Sequence, residues 1–183
     1  GPNILRVLPL QVSEAERRRV ARRYTRSLEA YEAFQRGQAM LHVRRKAENE
    51  AAREMFRQAI GLDAVFARAY AGLAMTYAAD YRNQWAADRR AALERAFDLA
   101  REAHEIDPDI PETYWVSAFV HVHRREHHRA LQYLETCVRL YPSFADAYAT
   151  MGGIYTSIGQ PARALSLLRT AMRLLPESGY LYL

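Results

Sequence analysis

The chain of 183 residues has one cysteine, Cys137, which excludes an internal disulfide framework and any cysteine-rich metal site. A chain without disulfides suits a reducing compartment, so a cytoplasmic location is expected. Eight glycines and seven prolines are too few for a collagen-like or low-complexity chain. No stretch approaches the roughly 20 apolar residues of a membrane-spanning helix. The opening GPNILRVLPL lacks a basic segment followed by a long apolar run, so no secretory signal is expected. Gly1-Pro2 reads as the remnant of a cleaved tag. No phosphate-binding loop, no G-x-G-x-x-G and no H-E-x-x-H occurs, and no grouping of serine, histidine and acid stands out. A chain without catalysis, metal or cofactor is expected.

What is present is charge in one place and repetition everywhere else. The formal charge is +5, and residues 1–29 alone hold Arg6, Arg17, Arg18, Arg19, Arg22, Arg23 and Arg26 against Glu14, Glu16 and Glu29. The body is therefore nearly neutral, and nucleic acid is not the expected partner unless the basic N-terminal stretch alone makes the contact. Ser13 opens a helical run, SEAERRRVARRYTRSLEAY, with Glu16 three residues on as in a capping box.

The repeat is cleanest in Ala145–Ser178, where Tyr148, Met151, Gly152, Tyr155, Ala164, Leu168, Ala171 and Pro176 stand at slots 4, 7, 8, 11, 20, 24, 27 and 32 of a unit. One unit earlier the same slots hold Tyr114, Ser117, Ala118, His121, Ala130, Leu134, Cys137 and Pro142. The unit before carries Tyr70, Leu73, Ala74 and Tyr77, then about ten extra residues near Asp80–Arg89, then Ala96, Ala100, Ala103 and Pro108. The first has Gly37, Ala52, Phe56 and Ala59, is slightly long near His42–Ala47, and has Ala64 in place of the proline.

This pattern of an aromatic, small residues and a closing proline at a period of about 34 resembles the tetratricopeptide-repeat family. The resemblance implies an all-α fold: a right-handed superhelical solenoid of antiparallel helix pairs, about four repeats plus an N-terminal helix. The expected organisation is a linker and N-terminal helix over 3–29 and a repeat domain over 30–178. Its units are about 30–66, 67–110, 111–144 and 145–178, with 179–183 the start of a truncated further unit. Small residues at slots 8, 20 and 27 let helix backbones approach where they cross, and larger ones fill the space beside them. Gly159 can take a left-handed position after a helix, and Pro161 suits the first turn of the next.

A narrower resemblance rests on the run LPLQVSEAERRRVARRYTRSLEAYEAFQRGQ, the long first unit and FARAYAGLAMTYA. It is similar to the C-terminal repeat regions of bacterial class III nucleotidyl cyclases and winged-helix transcriptional activators. That would make the chain a regulatory segment, with self-association as one mode of action.

In such a solenoid the first helices line a concave groove. The candidate peptide-binding residues are Tyr31, Phe34 and Gln38; Arg68 and Met75; Trp115, Phe119, Val122 and His123. The expected partner is a protein or peptide, or another domain of the same parent chain, with Trp115 and Phe119 as the dominant anchors. The Ser13–Leu28 helix is an alternative occupant of the groove. The cluster His121, His123, His127 and His128 flanks a turn and reads as a solvated corner rather than a metal site, with His121 packing as an aromatic. Cys137 reads as a buried thiol, and Trp85 as an anchor for the inserted stretch. Apolar residues on the last complete helix, Ala162–Leu175, suggest a homodimer through the C-terminal units.

Overall fold

The computed structural model of the chain describes residues 18, 20, 21 and 23–174. Gly1-Pro2, the Ser13–Glu16 capping box, Pro176 and Gly179–Leu183 lie outside the described residues. From Leu28 on, the described residues form eight helices: α1 (Leu28–Val43), α2 (Lys46–Leu62), α3 (Ala67–Arg82), α4 (Arg89–Ile106), α5 (Pro111–His123), α6 (His127–Leu140), α7 (Ala145–Ser157) and α8 (Pro161–Leu174). No strand occurs among the described residues.

The helices form four consecutive pairs, each packed tightly within itself and against the next. Across pairs, α1 meets α3, α3 meets α5 and α5 meets α7, while the second helices α2, α4, α6 and α8 do not meet one another. The first helices thus make one continuous inner layer and the second helices fan apart outside it. That asymmetry curves the stack into the expected solenoid, with a concave face built from α1, α3, α5 and α7.

The crossings are as tight as the small slots require. Ala52, Ala59, Ala96, Ala103, Ala130, Cys137, Ala164 and Ala171 are all at most 3% exposed. The Phe56 ring lies between two glycines: a Cβ on Gly37 would come within 2.8 Å of it and one on Gly72 within 2.5 Å. Gly152 repeats the arrangement in the last pair, where a Cβ would stand 2.7 Å from Leu168.

Each helix pair turns through a residue of left-handed backbone: Arg44 (φ 60°), Gln84 (φ 58°), Arg125 (φ 60°) and Gly159 (φ 76°). Only the last is glycine, as its spacing suggested. Between pairs, the Tyr70 hydroxyl donates to the Ala64 carbonyl at 3.0 Å and the Tyr114 hydroxyl to the Pro108 carbonyl at 2.8 Å. Where proline is missing, the Asp63 carboxylate accepts from the Val65 N–H at 3.1 Å and helps to set the turn.

One local expectation changes. The helical run from Ser13 does not continue into the repeats, because Arg23 and Tyr24 form a turn and α1 starts only at Leu28. Ser27 caps α1, its hydroxyl accepting from the Ala30 N–H at 3.0 Å, and the Thr25 hydroxyl accepts from the Ser27 N–H at 3.1 Å. Such short hydroxyl side chains compete with the helix for backbone groups. The inserted residues are shared between two helices and the turn that joins them. They lengthen α3 to 16 residues and α4 to 18, against 13 and 14 in the following pair, and the rest widen the turn between them.

Candidate functional site: the concave groove

The inner face holds two adjoining hollows. The first, of about 150 Å³, is lined by Gln38 and Leu41 of α1, Met75 of α3, Trp115 and Glu112 of α5, and the inserted Trp85, among others. The second, wider and of about 560 Å³, runs on past Phe119 and Val122 to Ala149, Gly153 and Thr156 of α7.

Five of the nine candidate residues line these hollows: Gln38, Met75, Trp115, Phe119 and Val122. Trp115 and Phe119 nevertheless belong chiefly to the core, at 5% and 7% exposure. Their rings stack at 5.3 Å, and the Trp115 indole N–H donates to the Thr150 hydroxyl of the next pair at 2.9 Å. Tyr81 meets Phe119 edge-on at 5.9 Å. The groove floor is thus an aromatic band that ties α3, α5 and α7 together. Truncating Trp115 or Phe119 would cost about 3–5 kcal/mol of stability before any partner is considered. His123 closes the band, 4.5 Å from both Phe119 and Tyr81, and burial, then nearby Arg89, lowers its pKa.

The other three pack at the N-terminal lip. Tyr31 stacks on Tyr24 at 6.2 Å, Phe34 sits between Phe56 and Phe66, and the Arg68 guanidinium lies over the Tyr24 ring at 4.7 Å. Tyr24 therefore covers the inner face of the first pair. No residue described before Gln38 lines either hollow.

Position counting along the first helices missed Asn49, Trp85, Arg82 and Phe144, all of which line the first hollow. Asn49 opens α2, Trp85 stands in the widened turn and Phe144 caps α7, so they reach the groove from its corners. The one sequence signal was the inserted Trp85. Its backbone N–H donates to the Asp80 carbonyl at 2.9 Å, and its side chain lines the groove.

Asn49 belongs to a buried polar network between the first two pairs. Its Nδ2 donates to the Thr76 carbonyl at 2.9 Å and to Asp80 Oδ1 at 2.8 Å, and Arg53 pairs with Asp80 Oδ2 at 2.5 Å. Burial raises the pKa of Glu112, against smaller opposing effects of a hydrogen bond from its own backbone N–H and of the charge on Arg68.

The histidine cluster is dispersed. His121 is buried, stacks on Tyr133 at 5.4 Å and places Nδ1 2.7 Å from Glu126, whereas His123 turns to the groove band. No group of ligands fit to hold a metal ion forms among the described residues, and no described helix is long and apolar enough to cross a membrane.

No protein-family model and no curated protein matches the sequence. Solved structures match its fold. The chain is similar to TTC0263, a thermophilic TPR protein of Thermus thermophilus, at 17% identity and a TM-score of 0.67, over 89% of this chain and 81% of that one. It is similar to MamA at 18% identity and a TM-score of 0.53, over 92% and 98% of the two chains. MamA (41-end) from Desulfovibrio magneticus RS-1 matches at 12% identity and a TM-score of 0.55, over 79% and 75%. At these identities the likeness is one of fold, and the fold is the tetratricopeptide-type stack of helix pairs.

Proposed function

We propose that the chain is a non-catalytic protein-interaction module whose concave groove docks a helix or extended segment of a partner protein. The groove itself carries the reading. Leu41, Met75, Trp115 and Val122 form an apolar strip along stacked first helices, and the hollow over Ala149 and Gly153 continues it. Exposed Arg44 and Arg82 stand at its rim. An apolar floor with a polar rim is the usual composition of a recognition surface. The described N-terminal residues pack at the lip instead, which favours an occupant from elsewhere: a second protein or another domain of the parent chain.

Trp115 and Phe119 are poor test positions, because their loss would unsettle the core. Ala149 is half-buried on the groove side of α7. Ala149→Arg is expected to weaken binding of peptides selected against this chain from a random library by about tenfold or more, with an unchanged melting temperature. Selected binders that ignore this substitution would place recognition on another face.

The finer reading is a regulatory segment of a bacterial, cytoplasmic nucleotidyl cyclase or winged-helix activator. It rests on the Ala30-Tyr31 and Arg36-Gly37 entry and on the insertion in the second pair. Self-association is its natural mode, and Leu165 and Met172 on α8, each 50% exposed, support it. Nucleic acid is the less favoured partner, since the basic excess is confined to residues 1–29.

A further inference from the structure

We infer that the protein segment docked in the groove is acidic, its side-chain carboxylates meeting a basic bank along one edge of the stack; this rests on the groove reading above. Successive helices alternate in direction, so the turns within pairs share one edge and the turns between pairs share the other. The first three corners within pairs each carry three basic residues and one acid. They are Arg44, Arg45 and Lys46 with Glu48; Arg82, Arg89 and Arg90 with Asp88; and Arg124, Arg125 and Arg129 with Glu126. The opposite edge carries Asp63, Asp107, Asp109, Glu112 and Asp146 against Arg68 and Arg139. A body that is nearly neutral in total is thus divided in charge from edge to edge.

The three corners adjoin one another and the groove. Arg44 and Arg82 line the same hollow. The second and third corners meet through Tyr81 and His123 at 4.5 Å, and Arg124 pairs with Glu94 of α4 at 2.6 Å. Part of the charge is answered inside the chain. Arg45 pairs with Glu48 and Arg129 with Glu126, and Arg82 has an interaction of its own. Asp88 caps α4, accepting from the Ala91 N–H at 2.9 Å. Arg44, Lys46, Arg89, Arg90 and Arg125 are exposed and form no ion pair among the described residues. Glu50, one turn into α2, offsets one of the five.

Helix ends do not account for these cations. At each corner one helix stops and the next starts, so their backbone dipoles oppose and call for no excess of either sign. Arg44 and Arg125 also hold left-handed backbone, at φ 60° each, where the fourth corner has Gly159. Glycine takes that conformation at less cost, so an arginine kept there points to a use for its side chain. A row of carboxylates is the matching group, because each can accept charge-assisted hydrogen bonds from a guanidinium. Nucleic acid fits less well. Trp115 and Phe119 are 5% and 7% exposed, too buried to stack bases.

Trp85 and Trp115, the two tryptophans of the chain, line the hollow beside Arg44, so intrinsic fluorescence reports on this bank. The probe is deca-glutamate, titrated at about 0.15 M ionic strength. One variant combines Arg44→Gln, Arg90→Gln and Arg125→Gln. Gln84 already holds the corner conformation at φ 58°, so glutamine suits these turns. A control combines Arg36→Gln, Arg139→Gln and Arg169→Gln, three exposed cations elsewhere, and has the same net charge. The bank variant is expected to bind about tenfold more weakly, three weak exposed pairs acting together, and the control less than about twofold. Lysine at the three bank positions is expected to keep binding within about threefold of the parent, because the charge is retained. Equal losses in the two glutamine variants, or no saturable response to deca-glutamate, overturn the inference. Deca-thymidylate binding more tightly than deca-glutamate also overturns it and assigns the bank to nucleic acid. So does self-association in sedimentation that the bank variant abolishes, which assigns it to a second copy.

Library peptides then separate this inference from the groove reading. Selected peptides that depend on Ala149, and lose about tenfold against the bank variant, support both. Peptides that depend on Ala149 but ignore the bank variant overturn the acidic partner and leave the groove standing. If no selected peptide depends on Ala149, the groove reading fails, and the deca-glutamate titration alone judges the bank.

Discussion

At position 137 a cysteine stands where the other pairs carry Ala59, Ala103 and Ala171. The site is fully buried, the sulfur lies 3.5 Å from the Pro111 carbonyl, and burial pushes the thiol pKa up to about 12. A nucleophilic thiolate is scarcely formed at neutral pH under those conditions. Cys137 is therefore expected to resist an aromatic disulfide reagent at pH 8 in the native chain and to react at once in denaturant. Native labelling as fast as denatured labelling would show that α6 is not seated on α5. The same residue-by-residue logic explains His121. It fills the slot where Tyr155 stands in the last pair, and it keeps the aromatic contact while spending its ring nitrogen on Glu126.

A helix in this stack is defined by what crosses it. Ala130 has no exposed surface where α6 packs against α5. Ala130→Phe adds a ring where backbones nearly touch, and is expected to cost about 1–3 kcal/mol or more by overpacking. In a domain of this size that lowers the melting temperature by several degrees, at about 2–4 °C per kcal/mol. A variant that melts with the parent would mean that the third pair is out of register. The insertion follows the same rule. Added residues were absorbed by extending α3 and α4 at their open ends, past the crossings at Ala74 and Ala96, so the tight contacts were left in place.

At the scale of the whole molecule, apolar side chains on α8 stand in water among the described residues. On α8, Leu165 and Met172 are each 50% exposed, and Ile158 just before it is 42% exposed. A second copy meeting the same end would cover that surface in a two-fold contact. Sedimentation is expected to show a concentration-dependent dimer, and Leu165→Glu with Met172→Glu to return it to monomer. A parent chain that stays monomeric at high concentration would remove this reading without touching the groove.

The spacing of small and aromatic residues along the chain was enough to determine the helix pairs, their crossings and the face that lines the groove. Those properties repeat with the 3.6-residue turn and with a unit whose neighbours are copies of itself. Which residues of that face remain open was decided only by the tertiary structure. Exposure depends on groups far away in sequence: Thr150 and Tyr81 close over Trp115 and Phe119, and Tyr24 covers Tyr31 and Arg68. For the same reason Asn49, Trp85 and Phe144 enter the groove from corners that no count along the first helices could reach. A periodic pattern sets direction around a helix axis, but a pocket is formed where several axes meet.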